Sequence, residues 1–595
     1  MWAADFDRQH GRCVSGLAGD RGSEGHASQM RRRKGSFSVR AAWAIPALAL
    51  TSIVLGVWGW TSLGTDLDNA LYNSAGLFNN GNGAYYENPA LSDWHIRLAR
   101  WGGVVVLFSA ALLAVATLLQ QRVATTLARR TKQSVVIIGD DPLALTAFEV
   151  AQWEARSVLW LGAPAFHSTS LRIIALPWPT QDRAEAVADY TGGADHIVVA
   201  HHNDAEALTL VRAARATAPK AFITLLMLDL HLAEDAGATL NEAKTRVLSQ
   251  GAVAARRLSI THPTFMLARD QNRDRIHALI VGFGQTGQAI ARDLIVNCRT
   301  TYLALPRLTV IDPQARELEG VLRVRAPEID ACAQCLFIEG EVSGRAVHPG
   351  PSVIAKAIAD GGPITAAYVC LSTDVEALSA AAMLQSLLRS IDLDAPPIYV
   401  RVREVNTIAP SGRANRGLDA LIPFGGLASI LQASEFLSNA RDDSARAFHE
   451  GYRALLTPEQ RADKTNRAAD AWDDLDETYR QANRDAVAHI PAKLASAGIN
   501  PACWRWVTGL PRLGRGERLY SNDAELEALA ELEHERWMAQ RRMDGWRWTD
   551  QPTKNETRRL HPSLLAYREL TDEVKEYDRA NVRQTQSACG GPTSS

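Results

Sequence analysis

Two groups of residues in this chain have the types and spacing to do chemistry. The string GFGQTG (282–287) sets Gly282, Gly284 and Gly287 at G-x-G-x-x-G spacing, with Phe283, Gln285 and Thr286 between them. That spacing suits a pyrophosphate. The first glycine permits a tight turn, the second lets the backbone approach the phosphates, and the third lets a helix pack on a strand while its N-terminus attracts negative charge. Asp312 closes the next long apolar run and is the natural acceptor for a ribose hydroxyl, somewhat beyond the usual spacing of about 20 residues. The second group is His534, Arg536, Trp537, Arg541 and Trp546. Indole faces stack on bases or guanidinium groups, and arginine suits phosphate. The alternative for this group is a small core of its own, with Trp537 and Trp546 buried and Arg536 paired with a carboxylate such as Glu533.

The elements that must position these residues follow from hydrophobic patterning. IHALIV (276–281) reads as a strand ahead of the glycines and QAIARDLIV (288–296) as the helix behind them, the context the motif requires. LTVID (308–312), LFIEG (336–340), AAYVCLS (366–372) and PIYVRVRE (397–404) read as later strands. The same pattern occurs earlier, with strands SVVIIG (134–139), SVLWLG (157–162), DHIVVA (195–200) and AFITLLM (221–227) and a helix over 140–155. Alternating strands and helices predict parallel α/β sheets, and the restart predicts a duplication. A first Rossmann-like domain is expected over 134–262 and a second, nucleotide-binding one over 275–430. In the first copy Asp141 and Ala144 replace the second and third glycines, and no acid closes 157–162. A carboxylate there repels a pyrophosphate, so this copy is expected to be structural or to hold something other than NAD in the usual pose.

Ahead of these domains, 41–63 and 101–121 carry no charge and have about the length a bilayer-crossing helix needs. Arg31, Arg32, Arg33, Lys34 and Arg40 precede the first, and Arg122, Arg129, Arg130 and Lys132 follow the second. The intervening loop holds Asp66, Asp68, Glu87 and Asp93 against Arg97 and Arg100, so both termini are expected in the cytosol. Trp58, Trp60, Trp94 and Trp101 sit where an outer aromatic belt should be. Residues 64–100 contain a short helical stripe (68–78) and then a polar, Gly-rich run in which Asn79, Asn80, Gly81, Asn82 and Gly83 are pore-loop candidates. The segment is either a re-entrant selectivity element or an ordinary outer hairpin. No TVGYG-like string is present.

A net charge of −2 removes a bulk nucleic-acid footprint, and seven scattered cysteines do not suggest a disulfide framework. Residues 1–40 are expected to be disordered. Cys332 and Cys335 lack a second pair and read as core rather than zinc ligands. His201-His202 reads by default as a loop exit. No triad or paired-carboxylate constellation emerges, so neither an enzyme nor a metal site is expected. Residues 440–515 read as a helical connector with Trp472, Trp504 and Trp506 as core anchors and no evident chemistry.

Two spans followed by tandem Rossmann units resemble prokaryotic channels gated by RCK (TrkA-N-like, NAD-binding) domains. The matching strings are GFGQTG (282–287), VID (310–312), FIEGEVSG (337–344) and VCLSTDVEAL (369–378). The third is altered at Glu341 and Val342. The resemblance implies a ring-like homo-oligomer, a tetramer being plausible, with nucleotide or ion occupancy coupled to a pore. It also points to Asp374, whose alternative is a helix N-cap. The string HERWMAQRRMDGW (534–546), then His561-Pro562 and Asp578-Arg579, resembles the Ryr repeat over 520–585. That resemblance implies an adenine-type nucleotide or a partner surface at His534, Arg536, Trp537, Arg541 and Trp546.

The expectation is therefore a multi-domain protein: a two-helix membrane hairpin, tandem α/β Rossmann-like (RCK-type) domains, and a small, mainly α Ryr domain. It is expected in the inner membrane and in contact with the lipid bilayer. It would work as a channel or channel-like effector for a monovalent cation, potassium included, gated by NAD(H) or another adenine nucleotide. The rivals are a membrane-anchored sensor serving a separate transporter, and an NAD-dependent oxidoreductase.

Overall fold

The computed structural model describes residues 46–79, 93–130, 132–170, 172–178, 182–240, 244–348, 350–391, 396–403, 421–427, 431, 440–463, 466–499, 505–507, 510–514 and 516–590. The expected N-terminal tail, Asn80, Gly81, Asn82, Gly83 and Trp504 lie outside them. The chain divides into two units, residues 1–127 and 128–595.

The first unit holds helices α1 (Pro46–Ser62) and α2 (Leu67–Asn79) and most of α3 (Trp94–Arg130). Their contacts run through small residues. A β-carbon on Gly56 would lie 2.7 Å from Ser74 Oγ, one on Gly59 would lie 2.6 Å from Ile96 Cγ1, and one on Gly102 would lie 2.1 Å from Ser52 Oγ. Small side chains let backbones approach closely, the packing that helices in lipid use. The Ser52 and Ser74 hydroxyls donate back to Leu48 O and Ala70 O at 2.8 and 2.7 Å, so they are satisfied within their own helices. Large apolar side chains point outward instead: Leu50, Val54, Leu107, Leu112 and Val115 are exposed, and Phe108 is 74% exposed.

The expected spans are redrawn by these helices. The stretch of α3 long and apolar enough to cross a membrane is Trp94–Leu112, which begins before residue 101, while α1 is shorter. Asp93 accepts the His95 and Ile96 amides at 2.8 and 3.3 Å and so starts α3 early, as an N-cap does. Asn79, a pore-loop candidate, is the last residue of α2. Trp60 is buried with Ala70 and Ile96, whereas Trp58, Trp94 and Trp101 are exposed.

In the second unit the first sheet has strands β1 (Val135–Ile138), β2 (Val158–Leu161), β3 (His167–Ser170), β4 (Ile173–Leu176), β5 (His196–Ala200), β6 (Phe222–Met227) and β7 (Thr245–Ser249). Their order is β3-β4-β2-β1-β5-β6-β7, all parallel except β3. The second sheet has β8 (His277–Val281), β9 (Arg307–Asp312), β10 (Gln334–Glu339), β13 (Ala366–Val369), β14 (Ile398–Arg401) and β15 (Leu421–Phe424), ordered β10-β9-β8-β13-β14-β15 and all parallel. A two-stranded pair, β11 (Glu341–Val342) and β12 (Val347–His348), lies between β10 and β13. Removing β3 leaves one topology used twice. Gly139 N donates to Leu161 O and Gly282 N to Ile311 O, both at 2.9 Å. Among the strands of these two sheets, β3, β4, β7 and β15 escaped the pattern reading. Pro423 inside β15 argues against a strand, but β15 is a sheet edge, where a missing amide is tolerated.

Helices α4 (Pro142–Glu154), α5 (Leu230–Thr239), α6 (Gln250–Thr261) and α7 (Thr264–Asp270) belong to or leave the first sheet. Helices α8 (Gln285–Val296) and α9 (Asp374–Ser390) belong to the second. The connector contains α10 (Ala440–Leu455), α11 (Glu477–Ala488) and α12 (Ile490–Ser496), with Trp472 buried beside Ala445, Leu475 and Tyr479. Trp506 lies in a short strand, Arg505–Val507. The C-terminal module pairs α13 (Asp523–Met543) with α14 (Asp572–Ala588), beside a two-stranded pair of Arg547–Trp548 and Leu560–His561.

Gly59→Leu is expected to lower the thermal unfolding midpoint of the detergent-solubilised chain, since overpacking costs about 1–3 kcal/mol. An unchanged midpoint would mean that α1 and α3 do not meet at Gly59.

Candidate functional site

The Gly-rich turn leaves the C-terminal end of β8, whose five residues are all buried. Gly282 has φ +86° and a β-carbon there would lie 2.9 Å from Cys370 O. At Gly287 a β-carbon would meet Gly282 O at 2.3 Å, so α8 packs directly on the turn. Gly284, the residue before α8, has nothing within 4 Å of its β-carbon position. The turn is thus closed at two glycines and open at the middle one, as a phosphate approaching a helix N-terminus requires.

The residues between the glycines serve the scaffold. Phe283 is buried and meets Phe337 edge-on at 5.2 Å, while its amide donates to Asp312 Oδ2 at 2.7 Å. Asp312 Oδ1 accepts the Gln314 amide at 2.8 Å. The carboxylate anchors the turn with one bond on each oxygen, and each retains acceptor capacity for a ribose hydroxyl. Gln285 does not face the crevice: its Oε1 accepts Leu230 N at 2.6 Å and its Nε2 donates to Asp229 Oδ2 at 3.0 Å. Thr286 is buried. Asp374 accepts the Arg403 amide at 2.9 and 3.1 Å, and the N-cap of α9 is Thr373.

At the matching place in the first copy, Asp141 caps α4 by accepting Leu143 N at 2.8 Å, so a carboxylate stands where the phosphate would. Asp140, His201 and His202 bring ligand-type atoms within 4.8 Å of one another. His202 Nδ1 lies 2.8 Å from Asp140 Oδ1, while His201 Nε2 faces Arg183 Nη1 at 2.9 Å. The guanidinium occupies the side a cation would need, so a polar cluster is the simpler reading. Among Cys332 and Cys335, burial pushes the Cys335 thiol up to about 12.

His534, Arg536, Trp537, Arg541 and Trp546 all line one cavity of about 290 Å³. Two of them are committed to the framework. Arg536 Nε and Nη2 reach Glu533 Oε1 at 3.0 and 2.9 Å. Burial alone would raise the Glu533 carboxyl, but Arg536 and Lys493 hold it well below the usual range. His534 lies between Asp578 Oδ2 and Leu565 O at 3.1 and 2.9 Å. Arg541 differs. Its guanidinium carbon lies 5.1, 5.9 and 5.3 Å from the ring centres of Tyr479, Trp537 and Trp546. The residue is 6% exposed, and its Nε and Nη1 have no hydrogen-bond partner among the described residues. Buried donors left without acceptors are costly, and an anion beside these aromatic faces would satisfy them. Lys554 Nζ lies 5.0 Å from the Tyr479 ring centre, paired with Glu556 Oε1 at 3.0 Å. The connector supplies Tyr452, Tyr479 and Asn483 to this wall. A lone Tyr on a charged helix gave no signal in the sequence.

Glycine replacement should separate scaffold from site. Gly287→Ala is expected to destabilise the second Rossmann-like unit by about 1–3 kcal/mol. Gly284→Ala should leave stability unchanged and weaken nucleotide binding, both read by calorimetry. A second expectation concerns pH. Burial holds His561 down to about 3, with the Arg541 charge adding to it, and His489 down to about 4. The unfolded chain binds these protons near 6.5 and the folded chain does not, so stability falls as pH drops from 6.5 towards 4. Unfolding followed by tryptophan fluorescence should show this slope, and His561→Phe should flatten it.

No curated protein matches the chain. Among solved structures, GsuK bound to ADP is 15% identical, with a TM-score of 0.35, covering 67% of this chain and 96% of that one. The GsuK channel bound to NAD is 13% identical, with a TM-score of 0.35, covering 67% and 82%. The A chain of dipicolinate synthase from Bacillus subtilis is 15% identical, with a TM-score of 0.20, covering 52% and 94%. At such values the Rossmann-like assignment rests on the strand order above. Residues 521–589, the module that carries Arg541, Trp537 and Trp546, match the RyR domain family.

Proposed function

We propose that this protein is a nucleotide-regulated membrane channel or channel-like effector rather than an enzyme. NAD(H) or another adenine nucleotide would sit at Gly282–Gly287 with its ribose on Asp312. An anionic ligand of the same class would enter the Arg541 cavity. The observation that carries the reading is their combination in one chain: an open Gly284 turn on a Rossmann-like sheet, and glycine-packed helices whose outer faces are apolar. The two helices α1 and α3 would cross the inner membrane as a hairpin, in a homo-oligomer such as a tetramer, passing a monovalent cation such as potassium. The chain passes from α3 to β1 within a few residues, so a shift of the first sheet would reach α3. A ligand moves such an equilibrium only by differential affinity for its two states.

A second reading is a membrane-anchored sensor of a separate transporter. It is favoured by the finding that Trp94–Leu112 alone has the length and apolarity of a span among the described residues. An NAD-dependent oxidoreductase is the third, and steady NADH turnover by the purified protein would support it.

ADP and NAD, the ligands named for the GsuK structures, are the natural probes. Purified protein in liposomes is expected to pass monovalent cations with a rate that either nucleotide alters. Arg541→Gln should alter the response, and replacing 79–86 with a Gly/Ser linker should abolish flux. Absence of flux with every nucleotide would overturn the channel reading and leave the sensor.

A further inference from the structure

Helix α8 begins at the Gly-rich turn and reaches the first copy, the connector and the C-terminal module through polar side chains. In its first turn, Gln285 holds Asp229 and Leu230 of the first copy, and Gln288 Oε1 lies 2.7 Å from His231 Nε2. A β-carbon on Gly251 of α6 would lie 3.0 Å from Gln285 O, so the two copies meet at backbone distance beside the turn. Two turns further along, Arg292 donates to Asp485 Oδ2 from Nη1 at 3.2 Å and from Nη2 at 3.1 Å, and to Asp544 Oδ1 at 3.1 Å.

Those two carboxylates stand on the two halves of the aromatic cage. Asp485 is on α11, which carries Tyr479. Asp544 caps α13 inside the turn closed by the Trp546 amide on Arg541 O at 2.9 Å, and its Oδ2 accepts Gln540 Nε2 at 2.6 Å. One guanidinium on the phosphate-facing helix therefore sets the spacing between Tyr479 and the pair Arg541 and Trp546. We infer that Arg292 is a positioning residue that couples the Gly-rich crevice to the Arg541 cavity, so that occupancy of either changes the other. The inference rests on the nucleotide reading for its ligand, but the bridge is independent of it. Coupling of this kind is reciprocal.

Hydrogen exchange on the full chain in lipid nanodiscs tests it. In an Arg541→Gln background, which removes the cation that would draw ADP into the cavity itself, millimolar ADP is expected to slow exchange at 282–296 and also at 477–488 and 541–548. In Arg292→Lys, which keeps the charge and loses the fork, the local protection should remain. The remote protection should fall about 5-fold or more, the lower end of typical coupling. From the other side and without nucleotide, Tyr479→Ala should speed exchange at 285–296 in the native background and add nothing in Arg292→Lys. A parallel thermal melt identifies any variant that fails to fold, and Asp544→Asn then replaces it. Remote protection that survives Arg292→Lys overturns the inference. So does a Tyr479→Ala effect that is absent, or unchanged by the lysine. If ADP and NAD leave 282–287 unprotected, the nucleotide reading fails, and the Tyr479→Ala comparison still decides the coupling.

Discussion

The absence of a side chain at Gly287 is the constraint on which the second unit is built. With Gly282 O only 2.3 Å from where a β-carbon would stand, α8 lies against its own strand turn with no room for adjustment. That contact fixes the direction in which the helix N-terminus points and the face on which Gln285, Gln288 and Arg292 emerge. The polar contacts of these side chains with the first copy, the connector and the C-terminal module inherit their geometry from it. A rigid helix start would also make an anion at Gly284 felt elsewhere, because a helix pinned at one end cannot absorb the change locally.

The two Rossmann-like copies show one scaffold with opposite local chemistry. Gly139 and Gly282 both sit at positive φ, each with its amide on the end of the neighbouring strand. Asn203 and Thr373 both cap the helix after the crevice strand. Asp204 and Asp374, one residue on, both accept backbone amides from beyond the next strand. The framework has been kept and the crevice rewritten. Where the second copy has Phe283-Gly284 and room for an anion, the first has Asp140-Asp141 and fills its own helix N-terminus with a carboxylate.

The helices of the first unit pack by a different rule. Their closest contacts use glycine and serine, with Trp60 and Ile96 buried between them, and most of their other bulky side chains face outward. In water this arrangement leaves large apolar surface exposed. In lipid it loses nothing by exposing leucine and phenylalanine and gains from close backbone packing. The same logic explains why the serine hydroxyls bond within their own helices.

What the sequence determined by itself was everything carried by local periodicity and spacing. That covers the strand–glycine–helix unit at 276–296, the duplication, the loss of the motif at Asp141, the uncharged runs near the N-terminus, and the string HERWMAQRRMDGW. Burial of consecutive apolar residues and the requirement for glycine at a close approach are properties of neighbours in the chain, so they are legible there. Short edge strands such as β3 and β15 were not, because pairing with a distant strand makes them strands. Nor were the roles inside the motifs. Gln285 turns away from the crevice because Asp229 lies opposite it, and Arg536 pairs with Glu533, which Lys493 shares, whereas Arg541 Nε and Nη1 have no acceptor among the described residues. Tyr479 joins the cage from a helix more than fifty residues upstream. Which side chain faces a ligand depends on which partners the fold brings within a few ångströms, and only the tertiary structure decides that.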